Sequence, residues 1–137
     1  MIVPAMSETT SIVNVPGWPR PKGFSNGIIA SGRTLFVAGQ IGWTPEGAFV
    51  AKDLVGQFDQ ALANVLAVVS AAGGSAKDIV RLTVYVTDLD AYRENLGPVG
   101  AAYRERMGKV FPAMALVGVA GLVEREALVE IEATASL

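Results

Sequence analysis

At 137 residues the chain has the length of one domain with room for a substantial core. Hydrophobic residues make up 51% against 18% charged, and the mean hydropathy is +0.41; so few charges coat a lone sphere poorly, and apolar surface buried between subunits is expected. A net charge of -2 with no block of Lys or Arg argues against nucleic acid as principal partner, and the absence of Cys and His excludes disulfides, thiol catalysis and every Ser–His or Cys–His arrangement.

Residues 1–11 lack the basic and long apolar regions of a secretory signal. They read as an N-terminal arm, with Met6 as an alternative initiator, ahead of a single domain over residues 12–137; a cytoplasmic location is the default expectation. Ile12 to Val15 forms a short apolar segment ending at Pro16-Gly17, an edge-strand pattern. Trp18 to Gly27 is a proline-punctuated loop. It either presents Trp18 and Phe24 to a ligand or uses them to plug the core edge.

Gly27 to Ser31 and Thr34 to Ala38 flank Gly32-Arg33, which predicts a hairpin. The following Gly39-Gln40-Ile41-Gly42 brackets a strand end with glycines, suiting close approach of a ligand or another chain. It lacks the lysine and strand-to-helix setting of a phosphate loop.

Asp53 to Ala72 is the clearest helix, capped by Asp53 and ended by Gly73-Gly74, with Leu54, Phe58, Ala61, Leu62, Val65, Leu66 and Val69 on one face. Gln57, Gln60 and Asn64 read as its wet side. Val80 to Val86 then alternates with Arg81, Thr83 and Tyr85 as a strand. Asp88 or Asp90 caps a second helix, which Gly97-Pro98 interrupts before it restarts at Pro98 and runs to about Met107. Tyr85 and Tyr103 read as packing residues.

Ala113 to Val119 is apolar almost throughout, as in a strand covered on both faces. The apolar run to Val123 is about half of a bilayer span, so no membrane partner is expected. Leu128 to Ala135 alternates, with Val129, Ile131 and Ala133 on one side and Glu130, Glu132 and Thr134 on the other. The two read as neighbouring strands joined by Glu124-Arg125-Glu126. The predicted fold class is α+β, a single mixed β-sheet with two helices on one face. The uncovered sheet face points to an oligomer. The acidic residues do not cluster at ligand spacing, so neither a metal nor any other cofactor is expected.

Several segments together carry a resemblance: Gly23-Phe24-Ser25-Asn26, Leu35 to Ile41, Ala71-Ala72-Gly73-Gly74, Asp78 to Asp88, Phe111-Pro112-Ala113 and Val129 to Ala133. Over residues 12–135 the chain resembles the Rid family (YjgF-like, L-PSP endoribonuclease-like). The resemblance implies a chorismate-mutase-like fold assembled as a homotrimer, with small-molecule clefts between subunits. It also implies cofactor-free hydrolysis of 2-imino or enamine acids to 2-keto acids and ammonia.

Carried over residue by residue, the resemblance places Glu130 as the group that positions water. The ligand would meet Phe24, where the family usually has Tyr, and Ala38, where it often has Ser. Gly39 and Gln40 keep the backbone of that segment. The helical Asn of the family falls at Gly100. Met114 stands where active members carry an arginine that clamps the substrate carboxylate, followed by Ala115 and by Leu116 in place of a Cys. Loss of a charge-assisted bidentate pair costs on the order of 1.5–3 kcal/mol. The cleft is therefore expected to favour a neutral or more apolar ligand unless another arginine, such as Arg20, reaches in. Packing against Leu116 and Val129 would suit Glu130 to proton transfer; otherwise Glu130 is a solvated rim residue like Glu132.

Three functions remain: an imine or enamine hydrolase with altered substrate scope, a non-catalytic small-molecule binding or sensing trimer, and RNA cleavage. RNA cleavage ranks last, because it usually employs His or a metal and wants positive charge.

Overall fold

The computed structural model describes residues 9–137. Of the expected N-terminal arm, residues 1–8 lie outside the described residues, whereas Thr10 and Ser11 already belong to a strand. Thr10–Val13 (β1) pairs antiparallel with Gly27–Ala30 (β2), placing Ile12 opposite Ile28. Four further strands, Thr34–Ile41 (β3), Ile79–Val86 (β4), Ala113–Gly118 (β5) and Val129–Ser136 (β6), form a mixed sheet in the order β3-β6-β4-β5. Only the β4–β5 pair is parallel.

This topology corrects three expectations. The β-structure divides into a two-stranded ribbon and a four-stranded sheet rather than a single mixed sheet. Gly32-Arg33 does not close a hairpin: Arg33 exchanges backbone hydrogen bonds with Leu137 at 3.0 and 2.8 Å, while Ser31 donates to Thr9 at 2.9 Å. Gly32, at φ +100°, turns the chain away from one partner strand and toward the other. Finally, β5 and β6 are not neighbours, because β4 lies between them. Parallel pairing of β4 with β5 requires a crossover, which the helical segment between them supplies.

That crossover holds two helices, Leu89–Glu94 (α2) and Leu96–Met107 (α3), so with Leu54–Ala71 (α1) there are three helices rather than two. The break falls at Asn95, whose side-chain amide donates to Ala91 O at 2.7 Å. Pro98 sits in the first turn of α3, where its missing N–H is not needed. Asp88, not Asp90, caps α2, accepting from Ala91 N at 3.1 Å.

Helix α1 begins as expected, with the Asp53 carboxylate accepting from Gly56 N at 3.3 Å, and stops just before Gly73 at φ +89°. By length and composition it could cross a bilayer; here it is the core helix. Leu62, Val65 and Val69 are wholly buried in one cluster with Val84, Val129 and Ile131. Each such burial contributes about 1.5–3 kcal/mol.

Gln57 is not on a wet face. It is buried, donates to Ala51 O at 3.3 Å and Glu126 O at 3.0 Å, and accepts from Leu128 N at 2.8 Å. Gly42 packs directly over it, since a Cβ there would fall 2.6 Å from Gln57 Cβ. Asn64 likewise reaches Ile41 O at 3.0 Å and Trp43 O at 2.8 Å. These amides tie α1 to the segments entering and leaving the sheet.

Helix α3 is held onto α1 by Arg106, which forks onto Asp59 at 2.7 and 2.9 Å. Its inner face buries Val99, Tyr103 and Met107. The Tyr103 hydroxyl donates to Val110 O, and its ring stacks on Phe111 at 6.0 Å. Burial pushes the Tyr103 phenol well above its ordinary range.

Candidate functional site

The parallel register of β4 and β5 sets Met114 beside Leu82 and Leu116 beside Val84. Since Leu82 and Val84 are buried on the helix side, Met114 and Leu116 must face that side too. Above them α3 leaves a cleft of about 460 Å3. Leu62, Leu82 and Val84 form its floor, and Gly100 belongs to its helical wall.

The proline loop brings Phe24 to the same cleft. Ser25 fixes it there: its N–H donates to Pro112 O at 3.0 Å, its hydroxyl donates to Phe111 O, and it bridges to Ala113. Phe24 stands 39% exposed on the cleft wall rather than plugged into the core. Trp18 stands away from it.

The other half of the expected site lies across the sheet. Glu130 pairs in register with Tyr85, and Ala115 with Thr83, on the face turned away from the helices. Between Val37 and Gln40 strand β3 bulges, setting Ala38 and Gly39 against a single residue of β6. The Gln40 amide folds back over the bulge to Ala38 O at 3.0 Å. The Glu130 side chain rests on Gly39, where a Cβ would stand 2.7 Å from the carboxyl carbon. A side chain here would push the carboxylate aside.

Next to it the Tyr85 hydroxyl donates to Glu132 Oε1 at 2.6 Å. That hydrogen bond raises the phenol's pKa, aided by the Glu132 and Glu130 charges. Tyr85 is therefore not a core packing residue, and Glu132 is not a freely solvated one. Phe36, 78% exposed opposite Thr134, and Val117, 43% exposed opposite Tyr85, complete an open face of mixed apolar and acidic character.

The structure thus brings Phe24, Gly100, Met114 and Leu116 together, and separately brings Glu130 to the Ala38-Gly39 bulge, which Gln40 follows. Within one chain Glu130 neither faces Met114 nor packs against Leu116 and Val129. Strand alternation sends those three side chains to the helix side and Glu130 to the other. Arg20 does not line the cleft. Its charged wall residues are Lys22 and Arg104, both missing from the residues singled out in sequence. For Arg104 a signal existed: it follows Gly100 by four residues and so shares its face of the helix. Among the described residues no group of three His, Cys, Asp or Glu converges to hold a metal.

Residues 19–137 match the family model for endoribonuclease L-PSP. The chain is 36% identical over 130 residues to a 2-iminobutanoate/2-iminopropanoate deaminase of Salmonella typhimurium, covering 95% of this chain and 98% of that one. Among solved structures it is similar to the Rid-family protein YyfB of Yersinia pestis, with a TM-score of 0.84, 36% identity, and 94% and 99% of the two chains covered. It is also similar to TdcF of Escherichia coli with bound serine, with a TM-score of 0.67, 31% identity, and 93% and 98% covered.

Proposed function

The chain belongs to the Rid (endoribonuclease L-PSP) family, and from that premise we propose that it hydrolyses imines or enamines of 2-amino acids in a site assembled where two copies meet. One copy supplies the cleft of Phe24, Gly100, Met114 and Leu116. A second supplies Glu130 on its glycine bulge. The open sheet face, with Phe36 and Val117 exposed beside Glu130, is the surface through which copies pack, consistent with a homotrimer.

The observation that carries this reading is the seating of the Glu130 carboxylate on Gly39. A bulge and a bare glycine let one carboxylate lie close against a sheet face that a second copy would cover. Fixed placement is what water activation needs. The deaminase name borne by a 36% identical relative points to the same chemistry.

In the reaction the water oxygen adds to C2 of the imine while Glu130 takes its proton. The C=N electron pair moves to nitrogen, which takes up the proton from Glu130. Glu130 then takes the carbinolamine hydroxyl proton and passes it to the amine, so that C=O forms as the C–N bond breaks, ammonia leaves and the carboxylate is regenerated. Each step balances without metal or redox cofactor.

Ammonia release from 2-imino acids generated in situ tests this reading. Replacing a positioned general base typically costs ~10²–10⁴-fold, so Glu130→Gln is expected to reduce the rate at least a hundredfold with folding intact. A wild-type rate equal to that of the variant would leave the second reading, a binding or sensing protein. RNA cleavage fits less well, because the open face carries Glu130 and Glu132 and the chain has no histidine.

A further inference from the structure

We propose that Arg104, lying over Gly100 at the cleft mouth, is the carboxylate-binding residue of this protein, and that its ligands are 2-imino acids with branched or aromatic side chains. This rests on the hydrolase reading above and adds the group that selects the substrate.

Three observations carry it. First, a Cβ at position 100 would stand 3.2 Å from Arg104 Nη1. The guanidinium thus lies back along α3 over the bare helix surface at Gly100, one turn below its own Cα.

Second, Arg104 is uncommitted. Other arginines of this helical segment are spoken for, Arg93 by Asp90 and Arg106 by Asp59. Among the described residues Arg104 makes no ion pair.

Third, the cleft is sorted by polarity. Its charged wall residues are both cations, Arg104 and Lys22, and both are exposed at the mouth. Its depth is apolar, ending on Leu62, Leu82 and Val84, with Met114 as an uncharged, adaptable side wall. An anion with an apolar tail fits only one way round. Its carboxylate meets Arg104, its side chain enters the cleft, and its C2, bonded to the carboxylate, stays at the mouth where a second copy can deliver Glu130. A cleft of about 460 Å3 has room for more than the three- and four-carbon acids in the relative's name.

The test is calorimetric binding of the unreactive 2-oxo acid of leucine and of its methyl ester, beside ammonia release from the matching imine. Arg104→Gln is expected to weaken the acid ~10–100-fold while leaving the ester unchanged. It should raise KM more than it lowers kcat, and Arg104→Lys should recover part of the loss. Thermal melts establish that each variant is folded. Acid binding unchanged in Arg104→Gln, or an ester that binds wild type as well as the acid, overturns the proposal. Should wild type bind neither probe yet hydrolyse imines in a Glu130-dependent way, the clamp is refuted and the hydrolase stands. Arg104-dependent binding without hydrolysis refutes the hydrolase and leaves the clamp.

Discussion

The Glu130 carboxylate lies on the Cα of Gly39, so closely that a Cβ there would stand 2.7 Å from the carboxyl carbon. Gly39 is accordingly needed for the placement of Glu130 rather than for any unusual backbone angle. Gly39→Ala is expected to push the carboxylate aside by about 1 Å, a displacement that costs ~100-fold in a positioned reaction. Thermal stability should change little. Steady-state ammonia release beside a melting curve checks this; an active Gly39→Ala protein would mean that Glu130 is free to move.

Gln57 joins the start of α1 to Ala51, Glu126 and Leu128 through three hydrogen bonds. Gln57→Ala would orphan the half-buried Leu128 N–H and open a void beneath Gly42. A loss of about 3 kcal/mol is expected in urea unfolding. A loss below about 1 kcal/mol would show that water replaces the amide without penalty.

The Asp59–Arg106 fork ties α3, and with it the Gly100 wall of the cleft, to α1. Its hydrogen bond to Arg106 lowers the Asp59 pKa from the ordinary 3.8. A depressed carboxylate stabilises the fold above its unfolded value and loses that stabilisation as pH falls through the folded one. Both groups are more than one-third exposed, so solvent screening limits the effect to about 0.5 kcal/mol. Asp59→Asn should therefore melt slightly below wild type at neutral pH, with the gap closing below pH 3.8. A gap that persists in acid would assign it to packing instead.

Tyr85→Phe removes the hydroxyl that holds Glu132. Because that phenol titrates above its ordinary range, the variant should lose a high-pH component from the ultraviolet tyrosine titration. Retention of the full alkaline change would place the titrating phenols elsewhere.

Much of the fold was legible because burial imposes a period. The alternation of β6 and the apolar stripe of α1 appear where the sequence puts them, and the Asp53 cap with them. Strand partners were less legible. Two glycine-linked strands look the same whether they pair with each other or, as β2 and β3 do, with β1 and β6. The order β6-β4-β5 depends on a crossover, which local pattern does not encode. Gln57 reads as a wet-face residue until its three partners, from 6 to 71 positions away, are in place.

The site was legible as a set of residues and not as a geometry. Alternation within β5 and β6 already sends Met114 and Glu130 to opposite faces, once β4 is known to lie between them. Arg104 was missed because an arginine on a helix exterior is ordinary by composition. Only its position one turn beyond Gly100, in a cleft without acids, distinguishes it.

The proposed reaction depends on one copy's cleft working with another copy's Glu130. It is tested most directly by co-expressing two inactive variants under different tags, Glu130→Gln with an intact cleft and Leu116→Trp with a blocked one, and assaying the doubly purified oligomer. Double purification removes the unmixed assemblies, and in a cyclic trimer of either mixed composition about one site in three regains both intact halves. Ammonia release at about one third of wild type is therefore predicted. A mixed oligomer as silent as its two components would contradict the account.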